Sequence, residues 1–343
     1  MENWALFPII VLGVALIAIL VLAANLSVKK LAGIAAYFNL SSTFMGMTVV
    51  SLATSIPEIT SHLTASVNIL AGKLDFQTGS AIVLGSNIGS DVVQQTFILG
   101  LVVLLSGTLK FRRYFMWKSM GPMIGSTVMC IILGLDGIYS RWDGLILFGS
   151  FLLYSLYLYF DERKFYKAED NTPMSEDISE SIPRTRKQVI VDALLSVGLM
   201  TITVLTASQV LRIAEILVDR TNVSGSLLGV ITLGVASALP ELTTALVALR
   251  QKEAGISLGT LIGSNITNPL VGIGAGALVS KYAVPRPLIL WDLPWETLTG
   301  LILWAIVFFK KGKLGKADAI YLMAMYFVFI TLRAVFFKTD FLP

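Results

Sequence analysis

The feature that most restricts how this 343-residue chain can fold is a series of ten long apolar runs, which are separated by short charged segments. A helix needs about 20 apolar residues to cross the hydrocarbon core of a bilayer. Charged residues make up only 14% of the chain, whereas an average soluble domain has about 25%. The chain is therefore predicted to be an all-α polytopic membrane protein with ten transmembrane helices. The runs lie roughly at 7–26, 42–70, 79–106, 119–136, 144–160, 188–218, 225–249, 255–280, 288–309 and 319–337.

The positive residues between these runs predict an orientation. Loops after odd-numbered runs hold 18 lysines and arginines, and the segments on the other side hold 6. Cytoplasmic loops are enriched in Lys and Arg. Because Lys29 and Lys30 follow the first run, and a signal peptide carries its positive charge before the apolar stretch, the first run is read as a retained span. We expect a multi-pass protein of the cell membrane with both termini outside.

The segment 161–187 stands apart, because it holds 13 of the 48 charged residues together with Pro173 and Pro183. Its composition is typical of a disordered hydrophilic linker in the cytoplasm, although a regulatory cation sensor is the alternative. The segment divides the chain into a first five-helix repeat at 1–160 and a second at 188–343.

The single cysteine, Cys130, and the single histidine, His62, exclude an intramolecular disulfide and a zinc or copper site built on Cys and His. Any metal must be held mainly by oxygen, which suits Ca²⁺, Mg²⁺ and Na⁺. We expect no cofactor. The net charge of +4 is explained by the loop cations, so no nucleic-acid partner is expected. The expected partners are the lipid bilayer and transported ions, with the chain a monomer or a weak homo-oligomer.

The two halves contain matching segments. Gly46–Ala65 and Gly229–Ala248 align without gaps at an offset of 183 residues, and the tetrapeptide Gly-Ser-Asn-Ile follows each one, at 85–88 and 263–266. Since each half has five runs, the second half enters the membrane from the opposite side. Two inverted five-helix repeats, with a binding site at the midplane, are the plan of many secondary transporters.

Each repeat places one glutamate in the middle of an apolar run, Glu58 in the first and Glu241 in the second. A charged carboxylate at membrane depth costs several kcal/mol unless it is compensated. Neither repeated segment contains a Lys or Arg, so compensation must come from protons, polar neighbours or a bound cation. Two carboxylates match one divalent cation, and a structural hydrogen-bonding role is the alternative.

A proline precedes each glutamate, at Pro57 and Pro240. Proline has no N–H and clashes with the carbonyl four residues earlier, which frees main-chain carbonyls. Free carbonyls at membrane depth occur only inside protein or around a cavity, where they can bind Ca²⁺ or Na⁺.

Helical spacing gathers further oxygen ligands near the glutamates. Each of these polar side chains, taken alone, is more typical of helix packing or of bonding to its own main chain, and only their clustering indicates ion ligands. The clustered polar residues are Ser51, Thr54, Ser237, Ser86, Ser90, Ser264 and Asn268.

The segments Thr54-Ser-Ile-Pro-Glu58 and Ser237-Ala-Leu-Pro-Glu241, each followed by Gly-Ser-Asn-Ile, resemble the two α-repeats of the cation/Ca²⁺ exchanger superfamily, in particular sodium/calcium exchangers of prokaryotic size. The resemblance covers nearly all of the chain except 161–187. It implies a central Ca²⁺ site made by Glu58, Glu241 and the carbonyls of Thr54 and Ser237. It also implies coupling-ion sites made by Ser51, Ser55, Ser86, Gly234 and Ser264.

Three departures from the family pattern concern the coupling ion. Ala238 lacks a hydroxyl that would serve one Na⁺ site, and Ser90 stands where Asn or Asp is common. Ala53 and Ala236, where the family has glycine, are the third departure. Asp91 lies next to Ser90 but about 100° around the helix. Asp91 either replaces the missing ligand in a locally unwound helix or bonds polar neighbours such as Gln94 or Gln95. These departures leave H⁺ or another cation open as the coupling ion.

His62 follows Glu58 by one helical turn. A proton-coupling role is one interpretation, because histidine titrates near neutral pH. A bond to a neighbouring hydroxyl or carbonyl is the interpretation we favour. The whole pattern predicts a non-enzymatic antiporter that exchanges Ca²⁺ for Na⁺ or H⁺ by alternating access through a midplane carboxylate site. An exchanger for another cation, or a passive cation channel, is the alternative.

Overall fold

The computed structural model describes residues 6–38, 40–111, 116–162, 182–218 and 225–340. The predicted 161–187 linker falls mostly outside these ranges, so its role stays a prediction. The described chain is predominantly helical. Its α-helices are Leu6–Tyr37, Ser42–Met45, Ser51–Thr54, Ile56–Leu70, Phe76–Val93, Leu99–Ser106, Gly121–Gly134, Arg141–Glu162, Arg186–Val218, Gly225–Leu228, Gly234–Ser237, Leu239–Arg250, Ala254–Thr267, Gly274–Val279, Leu293–Phe309 and Lys316–Phe336.

Short π-helices lie between several of these α-helices and join them into longer helical stretches. The π-helices are Gly46–Val50, Gln94–Ile98, Met116–Met120, Gly229–Leu233, Asn268–Ile273 and Leu288–Asp292. All ten predicted apolar runs are occupied by helix. Within the described ranges, four helical stretches are long and apolar enough to cross a membrane, or five if the broken pair Gly229–Ser237 and Leu239–Arg250 is one span. The fold is that of a polytopic membrane protein, and the count of ten crossings stays a prediction.

The chain forms two compact units, and each draws on both halves of the sequence. The first unit comprises residues 1–57, 154–220 and 239–263, and the second comprises 58–153, 221–238 and 264–343. These units are defined by packing, and the division into two repeats at 161–187 stays a prediction.

Two long helices, Leu6–Tyr37 and Arg186–Val218, pack against each other in the first unit. The Ser27 Oγ donates to the Ser196 carbonyl at 3.4 Å, and the Lys30 Nζ lies 2.7 Å from a carboxylate oxygen of Asp192. The helices have 32 and 33 residues and are each about 48 Å long at 1.5 Å per residue, which exceeds the roughly 30 Å hydrocarbon core. A buried cluster beside them consists of Val28, Leu31, Ala32, Met45, Val50, Met200, Ala248 and Ile256.

Four short strands in the second unit form two antiparallel pairs. Strand β1 (Thr108–Lys110) pairs with β4 (Lys313–Gly315), and β2 (Ile138–Tyr139) pairs with β3 (Tyr282–Ala283). The first pair joins the loops after the third and ninth apolar runs, and the second joins the loops after the fourth and eighth. Each pair thus joins loops of the same parity, as expected if odd and even loops lie on opposite sides of the membrane.

The repeated segments share the same local structure, residue for residue. A π-helix at 46–50 matches one at 229–233, and the α-helical turn at 51–54 matches that at 234–237, all at the offset of 183. The turns end at Ser55 (φ −79°, ψ 3°) and Ala238 (φ −77°, ψ 0°), and a new helix begins at the next residue in both. The breaks fall two residues before the prolines, within the turn whose hydrogen bonding the missing N–H disrupts.

The glycine of each Gly-Ser-Asn-Ile motif marks a close backbone contact. A Cβ added to Gly85 would lie 2.7 Å from the Ser226 carbonyl oxygen, and one added to Gly263 would lie 2.8 Å from the Cα of Met47. The first contact is inside the second unit and the other is inside the first unit. Close helix packing therefore accounts for the glycines of these motifs.

Replacement of Gly85 by alanine is expected to destabilise the protein, because the new methyl group meets rigid backbone. Overpacking of this kind typically costs about 1–3 kcal/mol. The matched control is Gly125→Ala, in a helix where nothing lies within 4 Å of an added Cβ. Thermal unfolding of the purified proteins in detergent checks this, and equal melting temperatures for the two variants would contradict the close contact.

Candidate functional site

Glu58 ends a chain of hydrogen bonds in the core of the second unit. The Ser90 Oγ donates to the Glu58 Oε1 at 3.2 Å, and the Gln94 Nε2 donates to the Ser90 Oγ at 2.9 Å. The Asn265 Nδ2 donates in turn to the Gln94 Oε1 at 3.3 Å. Each side chain in this series donates to the next one, and the Glu58 carboxylate is the final acceptor.

The second carboxylate oxygen of Glu58 is buried and accepts no hydrogen bond within the described ranges. In the same ranges no lysine or arginine forms an ion pair with Glu58, whose side chain is only 3% exposed. A buried carboxylate oxygen without compensation is costly. Glu58 therefore has both the burial and the open acceptor position that a cation ligand requires.

Asp91 and Asn268, which the sequence placed near the coupling-ion site, are bonded to each other. The Asn268 Nδ2 donates to the Asp91 Oδ1 at 2.7 Å, and the Asn87 Nδ2 donates to the Asn268 carbonyl at 3.1 Å. Asp91 lies in a regular helix that continues to Val93, so the local unwinding considered for a ligand role does not occur here. The Asn268 Oδ1 has no hydrogen-bond partner within the described part of the chain.

Ser237 and Gly234 occupy one helical turn. The Ser237 Oγ donates to the Gly234 carbonyl at 3.2 Å, and the Ala238 amide donates to the same oxygen, also at 3.2 Å. Both acceptor positions of this carbonyl are thus used, so a cation at Gly234 would compete with two donors.

The equivalent turn of the first repeat has the same pattern in the first unit. The Thr54 Oγ1 and the Ser55 amide both donate to the Ser51 carbonyl, at 3.2 and 3.0 Å, and the Ser51 Oγ donates to the Met47 carbonyl at 2.6 Å. The Ser55 Oγ is buried and has no partner within the described ranges. The Thr54 and Ser51 hydroxyls give their hydrogen to the main chain, as helical Ser and Thr commonly do, and they keep oxygen lone pairs for a cation.

The twelve predicted ligands divide between the units. Eight lie in the second unit and four, including Glu241 (0% exposed), lie in the first. The second-unit residues are Glu58, Ser86, Ser90, Asp91, Gly234, Ser237, Ser264 and Asn268. The first-unit residues are Ser51, Thr54, Ser55 and Glu241. Within the described ranges no group of three or more His, Cys, Asp or Glu side chains could hold a metal, so hydroxyl, amide and carbonyl oxygens would have to complete any site.

His62 bonds a hydroxyl, as the favoured interpretation expected, but the partner comes from far along the chain. Its Nδ1 lies 3.2 Å from the Oη of Tyr282 on β3, and that hydroxyl donates to the His62 carbonyl at 2.9 Å. The Ser66 Oγ lies 2.6 Å from the same Oη. His62 and Ser66 thus fasten the helix that carries Glu58 to β3.

Sequence reasoning missed two further buried acidic residues, Asp292 and Glu296, in the ninth run. The Thr127 Oγ1 donates to the Glu296 Oε1 at 2.6 Å, and the Gln95 Nε2 donates to the Glu296 carbonyl at 2.8 Å. One turn earlier, the Arg333 Nε lies 2.9 Å from the Asp292 Oδ1, and both side chains are fully buried. Two acids four residues apart inside an apolar run were the available signal.

Comparison with known proteins identifies the family. The family model described as sodium/calcium exchanger protein matches residues 8–160 and 192–335. The chain belongs to the sodium/calcium exchanger family. The predicted membership of the cation/Ca²⁺ exchanger superfamily is confirmed, and so is the prediction of a non-enzymatic membrane transporter.

Similar proteins include two transporters and a membrane protein. This exchanger-family chain is 24% identical to sodium/calcium exchanger MaX1 of Methanosarcina acetivorans, covering 94% of this chain and 97% of the relative. It is 28% identical to the putative antiporter CaxA of Alkalimonas amylolytica, covering 77% and 78%. Identity to the inner membrane protein YrbG of Escherichia coli is also 28%, covering 71% of each chain.

The fold of this exchanger-family chain is similar to that of the sodium-calcium exchanger NCX_Mj. A structure of NCX_Mj soaked with 2.5 mM Na⁺ and 1 mM Sr²⁺ superposes with a TM-score of 0.74 at 21% identity, covering 95% of this chain and 99% of the other. At this level of identity the likeness establishes the fold. The roles of individual residues have to be argued from this chain.

Proposed function

We propose that the protein is an antiporter that exchanges Ca²⁺ for Na⁺ by alternating access, with Glu58 and Glu241 as its principal Ca²⁺ ligands. The observation that carries the proposal is the buried, open carboxylate oxygen of Glu58 at a position that the repeat duplicates at Glu241. Two carboxylates match the charge of one divalent cation, and hard oxygen ligands suit Ca²⁺. Na⁺ would share these carboxylates, so the binding of one ion would release the other.

The surrounding oxygens are assigned by their positions in the repeat. The carbonyls of Thr54 and Ser237 would complete the Ca²⁺ site, each one turn before its glutamate. Na⁺ would be bound by the side-chain and main-chain oxygens around it. These are Ser51, Ser55, Ser86, Ser90, Gly234, Ser264 and Asn268, and Asp91 would act indirectly, by accepting the hydrogen bond that holds Asn268.

The proposed arrangement has ten helices in two inverted five-helix repeats, with the binding site near the membrane midplane. The residue-for-residue recurrence of the π-helix, turn and break at 46–55 and 229–238 supports two equivalent repeats. The strand pairs support the alternation of loops between two sides. The excess of Lys and Arg in odd-numbered loops supports an orientation with both termini outside the cell.

Calcium flux under imposed gradients tests the function. Vesicles containing the protein should take up Ca²⁺ when the interior is loaded with Na⁺ and the exterior holds K⁺. Uptake should stop when Na⁺ is equal on both sides. Ca²⁺ entry without any imposed gradient of Na⁺ or H⁺, accompanied by an electrical current, would instead indicate a passive channel.

Exchange of Ca²⁺ for H⁺ is the second candidate, favoured by the missing hydroxyl at Ala238. This side chain is completely buried, beside the Gly234 carbonyl and Ser237. Uptake driven by a pH gradient at zero Na⁺ would establish this form of the exchanger.

Restoring the missing hydroxyl is expected to change the coupling ion. Ala238→Ser adds one oxygen at the break. It should lower the Na⁺ concentration that half-saturates exchange by about 3- to 10-fold, because one additional polar contact contributes about 1 kcal/mol of binding free energy. Ala245→Ser, at a completely buried alanine in the following helix, is the control. Identical Na⁺ dependence in the Ala238→Ser variant and the wild-type protein would argue against a Na⁺ site at this turn.

A further inference from the structure

A cavity of about 590 Å³ lies at one end of the second unit, beside the β2–β3 pair. Its wall is formed mainly by apolar side chains, and the ionisable groups among the described residues that line it are both basic. The lining residues are Ile69, Leu70, Phe76, Ser140, Arg141, Trp142, Ser280 and Lys281.

The cavity lies at the level of one membrane surface. Phe76 and Arg141 are the first residues of two helical stretches, Phe76–Ser106 and Arg141–Asp161, that are long and apolar enough to cross the bilayer. Trp142 is 75% exposed, and tryptophan is enriched where the bilayer meets water. The opening therefore faces the depth at which lipid headgroups lie.

The two basic residues flank the β2–β3 strand pair. Tyr139 pairs with Tyr282 across the β2–β3 register, so Arg141 and Lys281 lie just beyond and just before the paired positions. The Arg141 Nη2 donates to the Val279 carbonyl at 3.2 Å, which fixes the guanidinium over the cavity and leaves most of its donors open. Within the described ranges neither Arg141 nor Lys281 forms an ion pair with a carboxylate.

This charge decides which ligand the cavity suits. Two adjacent positive charges disfavour a cation, so the cavity is a poor entrance for Ca²⁺ or Na⁺. An anionic group next to an apolar chain matches both the charges and the wall. Each Lys or Arg close to an anionic membrane surface adds about 1 kcal/mol of attraction, and by the predicted orientation this surface is the outer one.

We propose that this cavity binds an anionic phospholipid. The headgroup phosphate is held by Arg141 and Lys281, and an acyl chain lies against Leu70, Phe76 and Trp142. The site is separate from the ion-binding residues and adds a lipid dependence to the stability of the protein.

The test uses the full-length protein in detergent with either phosphatidylglycerol or phosphatidylcholine. Phosphatidylglycerol should raise the melting temperature and remain bound in native mass spectrometry, and phosphatidylcholine should do neither. The double variant Arg141→Gln, Lys281→Gln should bind phosphatidylglycerol about 10-fold more weakly. Because both side chains are exposed, its melting temperature without lipid should match that of the wild type.

Arg286→Gln is the matched control, because this exposed arginine follows β3 but does not line the cavity. Its lipid affinity should equal that of the wild-type protein. Equal retention of the two lipids, or equal loss in the control and the double variant, would overturn the proposal. Stabilisation by inorganic phosphate alone, to the same extent as by phosphatidylglycerol, would also overturn it and indicate a site for soluble anions.

Discussion

Glu58→Gln and Glu241→Gln should each abolish gradient-driven Ca²⁺ uptake. Glutamine keeps the shape and one acceptor oxygen of the side chain but removes the negative charge that the proposed site uses. Removing one partner from a buried charge interaction costs about 3–5 kcal/mol. That cost corresponds to a loss of about 100-fold or more in Ca²⁺ affinity. Uptake measured over a wide range of Ca²⁺ concentrations would show it.

Glu296→Gln is the matched control for these two variants. Glu296 is also a buried glutamate, but it lies outside the repeated motif and is hydrogen-bonded by Thr127. Glutamine can still accept that bond, so Ca²⁺ uptake should stay close to that of the wild type. Unchanged uptake in both Glu58→Gln and Glu241→Gln would refute the site. Equal losses in all three variants would show that the effect is not specific to the repeat.

Arg333→Gln is expected to give the largest loss of stability. It leaves the Asp292 carboxylate fully buried without the guanidinium that lies 2.9 Å away. It also removes the donor to the Ser226 Oγ, at 2.6 Å. Breaking a buried ion pair costs about 3–5 kcal/mol, which should lower the melting temperature in detergent by several degrees or prevent recovery of folded protein.

A double variant and a surface pair distinguish this explanation from simple loss of packing. Asp292→Asn combined with Arg333→Gln removes both charges, so it should be more stable than Arg333→Gln alone. Lys310→Gln breaks a half-exposed pair with Asp318 and should cost at most about 1 kcal/mol. If the double variant were less stable than Arg333→Gln, the unpaired charge of Asp292 would not be the cause of the destabilisation.

The sequence predicted most of the fold because apolar length and charge are local properties. The proline breaks were also predictable, since the missing N–H acts on the carbonyls of the preceding turn. The π-helices were not, because nothing in the residues at 46–50 or 229–233 distinguishes them from α-helix. The two interleaved units could not be predicted either, because the repeat shows which segments of the chain are similar and not which helices pack together.

At the candidate site, the sequence identified residues but not their partners. Glu58 and Ser90 were both candidate ligands, but the hydrogen bonds through Gln94 and Asn265 depend on contacts between helices distant in sequence. The same holds for Tyr282, whose bond to His62 spans 220 positions. The buried carboxylate could be predicted from the residues next to it in the sequence, whereas the hydrogen-bond network around it could not.

The two strand pairs also affect how the protein is made. Strand β1 leaves the ribosome about 200 residues before β4, which at roughly 5–20 residues per second is a delay of roughly 10–40 s. Until then β1 and β2 lack their partners, and Asn87 lacks the Asn268 carbonyl. The newly inserted first half must wait in the bilayer with open strand edges and unsatisfied polar groups. Biogenesis of this transporter is thus completed only after the last helices are synthesised, and a nascent chain stopped before β3 would be a substrate for quality control.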